Sequence, residues 1–544
     1  MSFWPAHAIP DHLISLPIIL PLITGTLLIF INERRHEFKL WLNAAGLLAT
    51  LMVAIAFMWL VDNGRFEGNT GVYLAANWAA PFGIALVIDR FAAMMLVLAS
   101  LVSCASLTFA YRRWSRVGVH FHTLFQFLLM GINGALITGD LFNLFVFFEV
   151  MLAASYGLLL HGQNAVRIRA GMQYIALNLV ASFFFLIGIA LIYAASGTLN
   201  MADLARIIAS LNDADRALFE TGAAVLAVAF LTKSAIWPLG FWLPVAYGAS
   251  APPVAALLVL VTKVGIYVIY RLWLIVFAED AGSSTGFGGS LLFWGGLLTI
   301  IYGATGMLGS QDARRVASYS AILSSGTLLA LLGFNRPEIA AAALFYLVSS
   351  TLAVAAFVLL IELTERIYSP TSRLLAITME AFASDDEAHE SAGVAIPGAM
   401  AFLGLAFAGC ALVMVGMPPL SGFIAKFGIV TSLLTVSGAG GPTTTGWLFI
   451  ALLFLSGLFG IIAMMRLGVR IFWSSPQTTS PRLQLTEASP VLALLLLCVV
   501  MTVSAGPVRG YMDRAGADLS SGQNYIDQVL GHRPVPSLTR AGDQ

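Results

Sequence analysis

Four of the 544 residues are lysines, and three of the four, Lys233, Lys263 and Lys426, lie inside long apolar stretches. The fourth, Lys39, lies in a predicted loop, and the other 24 of the 28 basic residues are arginines, which keep almost entirely to polar connections and helix ends. An arginine cannot be deprotonated in a protein, whereas a buried lysine can lose its proton at modest cost and regain it. The residue types therefore favour proton carriage by the three buried lysines over simple charge balance.

One carboxylate, Glu149, stands in the middle of the apolar stretch 140–160, DLFNLFVFFEVMLAASYGLLL. A bare charge at the centre of a bilayer costs roughly 2.5–3.5 kcal/mol on insertion scales, so an acid at this depth is paired, hydrated or protonated. A protonated lysine nearby favours the ionised carboxylate, and burial without one favours the neutral acid. Through such a coupling, the charge of one group can switch the protonation of the next.

Two tyrosines, Tyr267 and Tyr270, follow Lys263 at i+4 and i+7, so all three residues share one face of a predicted helix. Their hydroxyls could order a chain of water; alternatively, Tyr270 belongs to the aromatic belt at the membrane interface. A static ion pair that only fixes helix packing would explain one acid and one base. It would leave two of the three buried lysines without an acid.

Membrane helices are the elements that must position these groups. The chain is 59% hydrophobic and 10% charged, whereas soluble domains carry about 25% charged residues. The sequence predicts an all-α polytopic membrane protein with about fourteen transmembrane helices, from apolar windows of about 20 residues. These windows are 13–31, 40–61, 91–111, 121–138, 141–160, 171–195, 222–243, 253–276, 290–309, 317–333, 339–361, 399–436 (interrupted), 447–472 and 488–505.

Two of the predicted spans, helices 7 and 12, are broken. Pro238 comes shortly after Lys233 in helix 7, and Pro418 and Pro419 come shortly before Lys426 in helix 12. Proline inside a span frees backbone groups that must find partners in protein or water. An ordinary proline kink is the alternative, but two interrupted helices in corresponding halves point to inverted repeats and a transport site at the midplane.

The predicted spans divide the chain into four parts. Residues 1–120 hold helices 1–3, and 121–276 hold a first repeat of five helices, 4–8. Residues 290–472 hold a second, inverted five-helix repeat, helices 9–13. Residues 488–544 hold helix 14 and a polar tail that is predicted to lie on the surface.

Loop charges predict the orientation of the chain. Arginines and Lys39 follow the odd-numbered helices 1, 3, 5, 9 and 11, while the opposite loops hold fewer basic residues, Arg271 among them. The excess of positive charge on cytoplasmic loops therefore predicts that both termini face the periplasmic or outer side. The first apolar run, 13–31, lacks the basic start and the cleavage site of a signal peptide, so we expect a retained helix.

Several other chemistries lack support in the sequence. The cysteines lie inside apolar runs without a C-x-x-C, as buried small hydrophobic residues do. None of the eight histidines falls in the middle of an apolar run, which argues against haem or metal between the helices. There is no phosphate-binding G-x-x-x-x-G-K, and the net charge of zero does not suggest nucleic acid. We therefore expect no cofactor, no metal and no nucleic-acid partner.

Four segments, 139–162, 230–272, 309–326 and 417–427, resemble the antiporter-like subunits that Mrp-type cation/proton antiporters share with respiratory complex I. The stretch GDLFNLFVFFE is similar to the D-type subunits of the Mrp antiporters, also called Pha or Mnh, and the chain length fits that type. The resemblance implies a multi-pass protein of the bacterial inner membrane. Its implied partners are the bilayer and the other subunits of a hetero-oligomeric complex.

The resemblance also implies roles for individual residues. The family's helix 5 glutamate matches Glu149, its helix 7 and helix 8 lysines match Lys233 and Lys263, and its helix 12 lysine matches Lys426. All four are expected to transfer protons.

Helix 11 departs from the family pattern. Many relatives carry a histidine there, and this chain offers Ser349 and Ser350. A serine cannot store a proton near neutral pH as a histidine can. The link between Lys263 and Lys426 is therefore expected to run through water and hydroxyls.

Three functions remain open at this point. The resemblance favours a secondary transporter subunit, not an enzyme, that moves protons in exchange for Na⁺ or K⁺. The alternative is a proton-pumping subunit of a respiratory NADH:quinone oxidoreductase or membrane-bound hydrogenase. A membrane scaffold without transport is the third, and it predicts that Lys233→Ala leaves activity intact. The sequence does not name the cation, and it shows no intramembrane carboxylate cluster suited to Na⁺.

Overall fold

The structure is a computed structural model and describes residues 11–162, 164–366, 398–435, 443–473 and 483–534. Helices dominate these residues, and a short antiparallel hairpin of β1 (Gly71–Leu74) and β2 (Ala85–Ile88) lies between the second and third of them. The α-helices are α1 (Leu16–Phe30), α2 (His36–Asp62), α3 (Arg90–Ala110), α4 (Phe121–Ile137), α5 (Leu141–Leu159), α6 (Ala165–Ser196), α7 (Met201–Ile207), α8 (Asp213–Lys233), α9 (Leu243–Ala249), α10 (Pro252–Val276), α11 (Gly289–Gly309), α12 (Ala313–Leu332), α13 (Pro337–Glu365), α14 (Gly398–Val415), α15 (Ser421–Thr435), α16 (Thr444–Trp473), α17 (Leu485–Val503), α18 (Ala505–Ser521) and α19 (Gln523–Gly531).

Twelve helices of the described residues are long and apolar enough to cross a membrane. Three further apolar helical stretches are shorter: Phe121–Ile137, Leu239–Ala249 and Ser421–Thr435. The all-α, multi-pass fold class is therefore confirmed. The count of fourteen spans and the division into repeats stay predictions.

Helix α10 is the central helix, and every one of its residues is buried. It packs against α3, α8, α12 and α13, and it carries Lys263. By contrast, α6 leaves apolar side chains such as Met172, Phe183 and Ile187 exposed, which suits a surface that faces lipid. The fold thus places one lysine on the helix that is best shielded from the bilayer.

The predicted interruption after Lys233 is confirmed. Helix α8 ends at Lys233, and α9 begins at Leu243 after an irregular segment that contains Pro238. Gly240 is required in this segment, because a Cβ there would clash with the carbonyl oxygen of Ala235. The break therefore fixes the Lys233 amine at the C-terminal end of a helix.

The second predicted interruption is also confirmed. Helices α14 and α15 are separated by residues 416–420, which include Pro418 and Pro419. Lys426 lies in the half-helix that follows this break, whereas Lys233 is the last residue of the half-helix that precedes its own. The two lysines therefore approach their breaks from opposite sides.

The C-terminal region is not the polar surface tail that the sequence predicts. Its described part forms α18 and α19, which pack against α13 and α7 respectively. Met512 and Leu519 are buried, Arg90 pairs with Asp518, and the Tyr511 hydroxyl donates to the carbonyl of Arg90 at 2.8 Å. The prediction failed because the segment is polar overall, and its apolar residues are spaced for one helix face.

Two basic residues that the sequence assigns to loops are buried in helices. Lys39 lies in α2 with 1% of its surface exposed, and its amine donates to Glu33 at 2.6 Å. Arg271 lies near the end of α10, 3% exposed, and forms a two-pronged ion pair with Asp89 at 2.7 and 2.9 Å. Loop assignments failed here because each charge is neutralised by an acid that a hydropathy window does not reveal.

Removing Arg271 is expected to destabilise the protein strongly. Arg271→Ala leaves the Asp89 carboxylate, which is 6% exposed, without its counter-charge. Breaking a buried pair on one side costs about 3–5 kcal/mol of unfolding free energy. Thermal unfolding of the purified protein measures this loss, and the double variant Asp89→Asn with Arg271→Met should recover much of it. Wild-type stability in Arg271→Ala would contradict the expectation.

Candidate functional site

Glu149 and Lys233 are joined through a hydroxyl group. Ser182 on α6 donates a hydrogen bond to Glu149 Oε1, and its own oxygen accepts from Lys233 Nζ at 3.4 Å. Glu149 is partly buried on α5, and Lys233 is 1% exposed. The structure thus brings the predicted acid and base together, and it adds Ser182, which the sequence analysis missed.

The surroundings of Lys233 favour a positive charge in an otherwise apolar place. The Nζ atom lies 5.3 Å from the centre of the Phe148 ring, within the range of a cation–π interaction. Lys233 is also the last residue of α8, where the helix dipole favours cations. The ammonium therefore has stabilising contacts that do not fix it in an ion pair.

Ser234, the residue after Lys233, packs against the central helix α10. Its side chain is fully buried, and its hydroxyl has no hydrogen-bond partner in the described part of the chain. A Cβ on Gly265 would clash with this hydroxyl, so the oxygen lies directly against α10. Gly265 is two residues beyond Lys263, and residues at this spacing do not share a face of a helix, so Ser234 packs against α10 without contacting the Lys263 amine.

Lys263 contacts hydroxyls rather than a carboxylate. Its Nζ donates to Ser324 Oγ on α12 at 2.7 Å and approaches Ser325 Oγ at 3.5 Å. Ser324 in turn donates to Ser350 Oγ on α13 at 2.8 Å. Ser350 was predicted to act here, whereas Ser324 was missed, although it lies inside one of the segments that carry the resemblance.

A cavity of about 30 Å³ continues this series. Its lining includes Ser324, Ser349, Ser350 and Lys426. A water molecule needs at least about 10–15 Å³ of such volume and two or more polar partners, so there is room for about two waters. The cavity can therefore bridge the hydroxyls next to Lys263 and the amine of Lys426.

Lys426 ends the series at the second helix break. Its Nζ donates to the carbonyl oxygen of Val415, the last residue of α14, at 2.5 Å. The polar partners of Lys263 and Lys426 in the described residues are thus serine hydroxyls and a backbone carbonyl. A static ion pair does not describe either lysine.

The two tyrosines on α10 have structural contacts instead. The Tyr267 hydroxyl donates to Leu136 O at 2.5 Å, and the Tyr270 hydroxyl donates to Leu328 O at 2.6 Å. Each is 1% exposed, so the interpretation of Tyr270 as a membrane-interface residue is wrong. These hydrogen bonds connect α10 to α4 and α12. Because both hydroxyl protons are used in them, the structure does not support a water chain along this face of α10.

Comparison with known proteins places these elements in a family. A family described as "NADH:quinone oxidoreductase/Mrp antiporter, TM" matches residues 138–458. The chain belongs to this family. The matched range includes Glu149, Lys233, Lys263 and Lys426.

Relatives of the NADH:quinone oxidoreductase/Mrp antiporter family match almost the full chain. A protein of Rhizobium meliloti (strain 1021), named as the D-type subunit of a probable K(+)/H(+) antiporter, is 51% identical over 544 residues, 98% of this chain and 99% of the relative. The D-type subunit of the Na(+)/H(+) antiporter of Alkalihalophilus pseudofirmus is 32% identical over 526 residues, 96% and 99% of the two chains. The predicted resemblance to the D-type subunits of Mrp antiporters is confirmed.

Solved structures of other proteins share the fold. A chain of the Mrp complex from Dietzia sp. DQ12-45-1b superposes with a TM-score of 0.79 at 26% identity, over 95% of this chain and 99% of that one. A chain of respiratory complex I from Thermus thermophilus reaches 0.72 at 20% identity, over 95% and 100%. At that identity, the second likeness concerns the fold alone.

Proposed function

We propose that this chain is the proton-translocating subunit of a multisubunit Na⁺ or K⁺/proton antiporter in the bacterial inner membrane, a transporter subunit and not an enzyme. One observation carries the proposal: polar contacts run from Glu149 through Ser182 to Lys233, and from Lys263 through two serines to the cavity at Lys426. The antiporter names of the relatives at 51% and 32% identity support it.

Charge coupling drives the first transfer. An ionised Glu149 favours the ammonium form of Lys233 through the shared Ser182 hydroxyl. When Glu149 takes up a proton, its negative charge no longer stabilises the ammonium form of Lys233, and Lys233 gives up its own proton. The released proton then passes to Lys263 on the central helix α10, which packs against α8.

Hydroxyl relay carries the second transfer. A serine hydroxyl donates one hydrogen bond and accepts others, so it can pass a proton without holding it. Ser324 and Ser350 provide two such steps from Lys263, and water in the cavity completes the route to Lys426. Lysine at each end stores the proton between steps, so this route needs no histidine at the positions of Ser349 and Ser350 on α13.

The orientation follows from the basic loops. Arg34 and Arg35 after α1 line the same open cleft as Arg116 after α3, so the two loops lie on one face of the molecule. We assign that face to the cytoplasm by the positive-inside rule. Both termini then face the periplasmic side.

The alternative functions have weaker support. The likeness to complex I concerns the fold at 20% identity, so it does not argue for a redox-driven pump. A scaffold without transport needs no lysine whose polar partners are hydroxyls instead of an acid, because burying such a charge costs stability. Lys263 is fully buried in that setting.

Reconstitution tests the proposed function. We expect the assembled complex in proteoliposomes to exchange protons for Na⁺ or K⁺, and this chain alone to show little or no exchange, because the resembled family works as an assembly. An entrapped pH-sensitive dye reports the proton flux after a cation pulse. Complex with Lys233→Ala serves as the inactive control. Full-rate exchange by the chain alone, or none by the wild-type complex, would contradict the proposal.

A further inference from the structure

An open cleft of about 530 Å³ lies beside the connection between α1 and α2, far from the buried lysines in the chain. Its lining includes three arginines, Arg34, Arg35 and Arg116, and one carboxylate, Glu37. Arg116 pairs with Glu37 at 2.5 Å, so the acid of the lining already has its counter-charge. The cleft therefore has an excess of two positive charges.

The two remaining arginines are not neutralised by neighbouring acids. Glu33, which precedes Arg34 in the chain, accepts a hydrogen bond from Lys39 at 2.6 Å. Arg34 and Arg35 are exposed, and neither guanidinium forms an ion pair with the residues that the structure describes. A guanidinium presents a planar fork of donors that matches the oxygens of a phosphate group. The charge and the donors of this cleft thus suit a ligand that carries a phosphate.

An exposed apolar face of α2 begins at the cleft. Phe38 lines the cleft, and further exposed apolar side chains follow it within an arc of about 100° on the helix: Trp41, Leu48, Met52, Ile55 and Trp59. Trp41 and Trp59 are 18 residues apart, which is about 27 Å along the helix. The hydrocarbon core of a bilayer is about 30 Å thick. Tryptophans at both ends of such a face are typical of a helix that contacts lipid, so the spacing favours lipid over a protein partner as the cover of this face.

The arginines lie at the depth of the lipid head groups. Arg35 precedes Trp41 by six residues, or about 9 Å along the helix axis. Because tryptophan rings collect at the boundary between acyl chains and head groups, the two guanidiniums lie just outside that boundary. The adjoining end of α1 also exposes the apolar side chains of Leu27 and Phe30. Phosphate donors and acyl-chain contacts therefore occur together at this place.

We propose that the cleft binds the phosphate head group of an anionic phospholipid, whose acyl chains lie against Phe38 and Trp41. In the orientation proposed above, this lipid belongs to the cytoplasmic leaflet, which contains the anionic lipids that attract basic segments next to membrane helices. The head group neutralises Arg34 and Arg35, which the protein itself leaves without acids. The inference goes beyond the proposed function and does not depend on transport.

Trp41 can report the bound lipid. Bromine atoms on an acyl chain quench the fluorescence of a tryptophan that they contact. The fluorescence of Trp41 is obtained as the difference between the assembled complex and the same complex with Trp41→Phe. Both are reconstituted in phosphatidylcholine vesicles that contain the same fraction of either brominated phosphatidylglycerol or brominated phosphatidylcholine.

The expected result is a preference for the anionic lipid that depends on the two arginines. Brominated phosphatidylglycerol should quench Trp41 at a fraction more than tenfold lower than brominated phosphatidylcholine. Arg34→Gln and Arg35→Gln should each reduce this preference by about fivefold, the scale of one basic residue at a membrane surface. Arg112→Gln is the matched control, since Arg112 is an exposed arginine after α3 that does not line the cleft. It should keep the preference of the wild type.

Three results would overturn the inference. Equal quenching by the two brominated lipids in the wild type would show that the cleft does not select a head group. Absence of quenching by either lipid would show that a protein partner covers this face in the complex. Displacement of the brominated lipid by inorganic phosphate would assign the cleft to a free anion, because phosphate lacks the acyl chains that hold a lipid there. These readouts need no cation exchange, so the proposed function stands or fails separately.

Discussion

Replacing Glu149 by glutamine is expected to abolish exchange by the assembled complex, or to reduce it by about a hundredfold or more, the scale of a lost proton-transfer group. Glutamine has nearly the same shape, and its amide oxygen can still accept the hydrogen bond from Ser182. It cannot ionise, so it no longer switches the charge of Lys233. The loss therefore reports proton chemistry and not packing.

Assembly and a surface control make this result interpretable. The amount of variant in the purified complex should equal that of the wild type, because Glu149→Gln removes no packing contact. Glu279→Gln, a change of an exposed carboxylate in the loop after α10, should leave exchange intact. Near-normal exchange in Glu149→Gln at matched expression would remove Glu149 from the route.

The sequence predicted the helical, multi-pass class of this fold and the burial of Lys233 and Lys263. Both follow from one physical fact, the cost of placing polar groups in lipid. Apolar windows indicate the helices because backbone N–H and C=O groups in lipid must form their hydrogen bonds within the helix. Rare charged residues such as Glu149 and Lys263 are conspicuous in these windows because a charge in lipid is costly. The two helix breaks could be predicted because a proline such as Pro238 or Pro418 disrupts the hydrogen bonding of a helix interior.

The hydroxyl links could not be predicted in the same way. Ser182 lies 33 residues from Glu149 along the chain, and Ser324 lies 61 residues from Lys263. Serine is common in membrane helices, where it usually bonds to its own backbone. Which serine faces a lysine depends on how the helices pack, and hydropathy contains no information about that.

The buried pair of Asp89 and Arg271 was hidden for a related reason. The two residues are 182 positions apart, and each lies near a helix end, where a charge is normally read as solvated. The C-terminal helices α18 and α19 cover this region with polar residues that meet polar partners. A composition-based prediction assigns such a segment to the surface.

Arginine in place of each buried lysine has the second large expected effect. Arginine keeps the positive charge and most of the length, but it does not release its proton at any accessible pH. We expect Lys233→Arg and Lys263→Arg to be nearly as inactive as the alanine variants, about a hundredfold or more below the wild type. Lys426→Arg should block the last step at the cavity in the same way.

Lys39→Arg is the matched control for these changes. Lys39 is as buried as Lys233, but its amine is held by Glu33 at 2.6 Å and lies outside the proposed proton route. An ion pair of this kind needs only the charge, which arginine provides. Exchange in Lys39→Arg should therefore stay close to that of the wild type, which separates the loss of proton release from the cost of a bulkier side chain.

Proton flux through the assembled complex carrying Lys263→Arg tests the central claim most directly. Proteoliposomes with the wild type, Lys263→Arg or Lys263→Ala are given a cation pulse at several pH values, and the initial rate of internal pH change is measured. Proton carriage by the buried lysines predicts that the arginine variant is as inactive as the alanine variant at every pH. Full activity of Lys263→Arg, shared by Lys233→Arg and Lys426→Arg, would contradict it and show that these lysines contribute only their charge.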